Sequence, residues 1–134
     1  MIDEYVKKWL TKANNDLKVA QIILQSPEGE LVTEAVCFHA QQAAEKLLKA
    51  FLITKNIEFG KTHNLEYLLE LCIKIDKDFQ QVKIGNLTFY AIEVRYSDEF
   101  HVPTKGEAVA SAEIARKIKE FILAKLNISE KDLI

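Results

Sequence analysis

Residues 30–55, ELVTEAVCFHAQQAAEKLLKAFLITK, run without a single glycine or proline. So long an uninterrupted stretch is far beyond an ordinary strand and reads as a helix. Val36, Ala40, Ala43, Leu47 and Phe51 recur at three- and four-residue steps and form one stripe, which Ala44, Leu48 and Leu52 widen. Gln41, Gln42, Glu45, Lys46 and Lys49 are expected mostly on the opposite, solvated side. Small residues at 40, 43 and 44 let a neighbouring backbone approach. A stripe this wide implies contact with more than one helix, or with a second subunit.

The rest of the chain follows the same rule, because its 134 residues contain only four glycines and two prolines. Residues 3–25 predict a first helix, with Val6, Trp9, Leu10, Ala13, Leu17, Ala20, Ile23 and Leu24 inward. The turn Ser26-Pro27-Glu28-Gly29 ends it. After a loop at 56–61, Thr62 or Asn64 caps a third helix that runs to about Ile75. A polar connection spans 76–81. Residues 82–96 predict a fourth helix, against which Gly85 and several β-branched residues argue. Thr104-Lys105-Gly106-Glu107 is a capping box for a last helix over about 105–126. The final residues, 127–134, are expected to form a frayed tail. No strand pair with hairpin turn chemistry is present. The expectation is an all-α fold, an up-and-down bundle of four to five helices, built as one domain with its core within about 3–126.

Charge removes some functions and leaves others. Eighteen basic and twenty acidic side chains give a formal charge of −2, so no global basic field draws in nucleic acid and any such contact needs a local patch. Cys37 and Cys72 sit far apart in apolar helical surroundings and read as buried free thiols, the state expected in a reducing cytosol. The mixed, charged start MIDEYVKKWL does not read as a signal peptide, and no apolar run reaches bilayer length. The three histidines, at 39, 63 and 101, make no metal-binding pair, so no metal or cofactor is expected.

Five positions stand out from the helical pattern. Asp16 falls on the seam made by Trp9, Ala13, Ala20 and Ile23, where an apolar residue is expected. An ionised carboxylate there needs a partner. Arg95, one of only two arginines, is a candidate because its guanidinium grips a carboxylate with two parallel hydrogen bonds. Such a pair serves either to fix helix register or to line a polar pocket. His39 lies on an edge strip with Gln42 and Lys46, where it reads as a boundary histidine bonded to a backbone carbonyl. His63, at the start of the third helix, either fixes a turn or lines a cleft that favours an anion. His101 follows Arg95 with five residues between. Chemically, that pair suits RNA cleavage: the imidazole accepts the 2′-hydroxyl proton and the guanidinium holds the charge that builds on phosphorus.

Three blocks carry a family resemblance: CFHAQQAAEKLLKAFL at 37–52, KTHNL at 61–65 and VRY at 94–96, with ANNDL at 13–17 extending it towards the N-terminus. Together they resemble the HEPN family of small helical-bundle proteins, over nearly the whole chain. The resemblance implies a homodimer and, as in many members, partnership with a small nucleotidyltransferase, in some pairs as toxin and antitoxin. In the ribonuclease branch an arginine, four to six residues and a histidine form a metal-independent active site across the dimer cleft. Arg95 and His101 fit that count. Tyr96 departs from the polar residue usual after the arginine, and Asp98 and Glu99 would repel a phosphate. The Arg-Tyr form is similar to the nucleotide-binding or accessory branch. The first reading is therefore a nucleotide- or RNA-binding partner that uses Arg95, Tyr96, His39 and His63, with Asp16 orienting the arginine. The alternatives are an endoribonuclease with Arg95 and His101 as catalytic residues, or a purely structural dimerisation bundle.

Overall fold

A computed structural model describes residues 3–90 and 102–133. Among these residues the regular structure is entirely helical. Four α-helices are α1 (Glu4–Leu24), α2 (Thr33–Thr54), α3 (Leu65–Ile75) and α4 (Lys105–Leu126).

Each helix starts and stops for a local reason. The Asp3 carboxylate accepts the Tyr5 N–H and so caps α1. At α3 the two candidate caps divide the work: Asn64 accepts the Tyr67 N–H, and Thr62 accepts the N–H of Asn64. The capping box at α4 forms as expected, with Thr104 and Glu107 bonded reciprocally. Two helices end on an asparagine in the left-handed region, Asn56 after α2 (φ 58°) and Asn127 after α4 (φ 55°). In both, the next residue's N–H reaches five residues back, from Ile57 to Leu52 and from Ile128 to Leu123. This closes the helix end in the manner of a Schellman turn and occupies carbonyls that would otherwise lack partners.

α2 is the central element and packs against α1, α3 and α4. α1 runs antiparallel to it: Trp9 lies beside Lys49, and Asp16 beside His39 and Lys46. α4 is likewise antiparallel to α1, since Asn14 meets Lys119 while Val6 and Leu126 border the same cavity at one end. The up-and-down bundle follows. Its core is continuous, from Leu10 and Leu17 through Val36, Leu47 and Phe51 to Ile118 and Ile122.

Three expectations need correction. Residues 76–81 are more than a polar connection, because a short 3₁₀ segment, Lys77–Gln81, drives Phe79 fully into the core. There the Phe79 ring lies 4.5 Å from that of Phe51 and 4.9 Å from that of Phe121. The predicted fourth helix does not begin at 82. Residues 82–88 are coil and turn, and helix starts only at Phe89. Gly85 holds φ 59°, and a Cβ there would sit 2.9 Å from Ile114 Cδ1, so the site demands a glycine and interrupts any helix. The remainder of that prediction, 91–96, lies outside the described residues. Finally, the C-terminal residues do not fray. A 3₁₀ turn, Glu130–Leu133, packs on α1 and buries Leu133.

Candidate functional site

α2 is buried almost all round, and this creates the site. Its apolar stripe occupies more than half its circumference, so its polar residues also meet neighbours. Gln41, Glu45 and Lys49 are buried, at 0%, 4% and 6% exposure, which corrects their expected place on a solvated face. Their i, i+4, i+8 spacing aligns them in one row. Lys49 Nζ donates to Glu45 Oε2 at 3.0 Å, and Gln41 Nε2 donates to Glu45 Oε1 at 3.2 Å. His63, on the loop before α3, brings Nδ1 to 2.9 Å from the same Oε1, and its carbonyl accepts a bond from Gln41. The Trp9 and Phe59 rings flank the Lys49 ammonium at 5.8 and 5.4 Å. The charges are thus removed from water only where donors, acceptors and ring faces surround them.

A second cluster lies between α1 and α2. Asp16 accepts from Lys46 Nζ at 2.5 Å through one oxygen and lies 2.9 Å from His39 Nδ1 through the other. A carboxylate paired with an ammonium only accepts, so the shared hydrogen sits on Nδ1 and a neutral His39 ring keeps Nε2 as an acceptor. The same logic applies at Glu45 and His63. His39 therefore bonds a carboxylate, where a backbone carbonyl was expected. Gln42, on the same strip of α2 as His39, extends the first cluster by donating to Gln41 Oε1 at 2.8 Å. Two hydrogen-bonded clusters thus set a belt of polar side chains along α2. It fixes two imidazoles, His63 largely exposed and His39 partly so. An imidazole held this way can take a proton or, once protonated, bind an oxyanion.

Of the residues singled out in the sequence, Asp16 and His39 meet each other, and His63 joins the separate cluster at Glu45. Asp16 finds His39 and Lys46 as partners. Arg95, Tyr96 and His101, including the proposed Asp16–Arg95 contact, lie outside the described residues. Sequence reasoning missed Gln41, Glu45 and Lys49. The signal that marks them is the width of the α2 apolar stripe, which leaves too little free surface for three more polar positions.

A third polar group sits where α4 begins. The Tyr90 hydroxyl donates to Glu107 Oε2 at 3.0 Å. Burial, followed by that bond, pushes the Tyr90 phenol well above its ordinary range. Burial also raises the Cys37 thiol, against the opposing pull of its bond with Ser111. Both cysteines are free and buried. Among the described residues no His, Cys, Asp or Glu cluster has the makings of a metal site, and no helix is long and apolar enough to cross a membrane.

The sequence profile of the HEPN domain family matches residues 6–126. Neither a curated protein nor a solved structure gives a match.

Proposed function

This chain belongs to the HEPN domain family, and on that premise we propose that it acts as a homodimeric nucleotide- or RNA-binding partner of a small nucleotidyltransferase. The belt on α2 carries this reading. Burying Glu45 and Lys49 forfeits several kcal/mol of hydration per ion, partly burying Asp16 adds a smaller loss, and well-packed apolar residues would stabilise a merely structural bundle at least as well. Retaining them supports a polar, phosphate-binding role, with His39 and His63 fixed by carboxylates and Arg95 supplying a guanidinium to the phosphate. The partnership with a nucleotidyltransferase, its toxin–antitoxin character and the dimer rest on family resemblance, and the single-domain reading of residues 1–134 rests on the length of the chain.

Titration of the purified protein with ATP and with short RNA tests this directly. Binding is expected for the parent protein and is expected to fall in Arg95→Ala and His39→Ala. Equal binding by all three would remove the proposed pocket. Incubation with RNA in EDTA, beside His101→Ala, tests the endoribonuclease reading. Cleavage that disappears with His101 would make Arg95 and His101 the catalytic pair.

A further inference from the structure

We propose that the groove between α1 and α4 is a binding site for a phosphate-type oxyanion, and that the Glu130 carboxylate occupies it as a built-in plug. The groove encloses about 440 Å³ and is bordered by Asn14, Lys18 and Gln21 of α1, by Arg116, Lys119 and Glu120 of α4, and by Glu130. It lies on the other flank of α1 from Asp16, apart from the belt on α2.

Three observations support it. Asn14 is a buried polar side chain, only 6% exposed. Its carbonyl oxygen accepts from Lys119 Nζ at 2.6 Å, whereas its amide nitrogen has no hydrogen-bond partner among the described residues, and the residue borders the groove. Second, the cations are unevenly neutralised. Arg116 is held by Glu113 and Glu120 on its own helix. Lys18 has no ion-pair partner among the described residues, and Lys119 has one carboxylate, that of Glu130. Burial, with Lys18 alongside and Glu120 opposing, holds the Lys119 ammonium below the ordinary lysine range. Third, Glu130 is delivered by a separate short turn, Glu130–Leu133, whose Glu130 and Lys131 are exposed while Leu133 is buried. A carboxylate presented by a one-turn segment can yield to a better acceptor without disturbing the bundle. A phosphate offers more oxygens to the Lys119 and Lys18 ammonium groups and the Asn14 and Gln21 amides than one carboxylate does.

The test is titration with inorganic phosphate and, separately, adenosine 5′-monophosphate, read by calorimetry. Glu130→Gln removes the competing charge and is expected to tighten phosphate binding about tenfold, the effect of one charge-assisted hydrogen bond. Lys119→Met keeps the aliphatic stem and is expected to abolish binding. Lys18→Gln, at an exposed position that should not affect folding, is expected to weaken it. Equal affinity for the two probes identifies a bare-phosphate site, and tighter nucleotide binding a phosphomonoester site. Phosphate should also speed tryptic cleavage at Lys131 by freeing the turn. Absence of binding to Glu130→Gln protein, affinity unchanged by Lys18→Gln, or binding without faster cleavage at Lys131 would overturn the proposal. His39→Ala alters the Asp16 cluster and not the groove, so failure here and failure of the α2 site are separable.

Discussion

The two polar clusters on α2 use the same parts and differ in how far they are sealed. Both join a carboxylate to a lysine and to a histidine Nδ1 at 2.9 Å. In the first, Glu45 and Lys49 lie four residues apart on one helix, with side-chain exposures of 6% and 8%. In the second, Asp16 on α1 reaches across to α2, and Asp16, Lys46 and His39 are 13%, 22% and 29% exposed. A sealed pair is strongly destabilising to break, because the surviving charge has no water to turn to. A part-open pair can be broken with less loss and is better placed to exchange its partner for a ligand. The comparison predicts a larger structural weight for Glu45–Lys49 than for Asp16–Lys46.

The strongest way to break this contrast is Glu45→Gln, which leaves Lys49 buried without its counter-charge. A loss of about 3–5 kcal/mol in urea unfolding is expected. A loss no larger than that of Asp16→Asn would abolish the distinction. Asp16→Asn is expected to cost about 1–2 kcal/mol, because Lys46 and His39 can turn to water. A sharper version is His39→Gln, which should change stability less than Asp16→Asn while reducing nucleotide or RNA binding, as read by calorimetry.

Alkaline stability provides a third test, now of sealing itself. Burial pushes the Cys72 thiol from 9.0 up to about 12. The folded protein then keeps its proton where the unfolded chain loses it. Stability from this group is fully present below pH 9 and declines as pH rises from there towards 12, with Tyr90 adding to the decline in the same direction. Cys72→Ala should flatten that slope in unfolding measured across the range. An unchanged slope would mean that the thiol is open to solvent.

The smallest effect is expected on the surface. Lys125 donates to Asp76 at 2.8 Å and to Asp78 at 2.5 Å, and these bonds hold the Asp76 carboxyl below its ordinary range. In Lys125→Gln the small stabilisation above the ordinary carboxylate range should disappear. The difference from the parent protein should then vanish as pH falls through the Asp76 titration, as measured by thermal unfolding. A loss approaching that of Asp16→Asn would show that solvent does not screen this pair as assumed.

How much was legible beforehand differs along the chain. α1, α2, α3 and α4 were readable because each pairs a 3.6-residue apolar rhythm with a local stop or start signal, such as the Thr104–Glu107 box. The site was only partly readable. Asp16 stood out because a carboxylate interrupted an apolar seam, yet its partners His39 and Lys46 are 23 and 30 residues away and carried no mark of that pairing. Glu45 and Lys49 looked like ordinary solvated residues. Phe79 and Leu133 misled for one reason: a short 3₁₀ segment has no period, so the side chain it sends inward leaves no repeating trace.

By itself, the order of residues determined that this protein is helical, where its long helices lie and which family it belongs to, since hydrogen bonds within a helix and its caps depend on near neighbours. The tertiary structure alone decided which polar face of α2 is shut from water and which carboxylate meets which histidine. Those outcomes depend on the helices that pack against α2, and burial is a property of neighbours in space rather than of the residue itself.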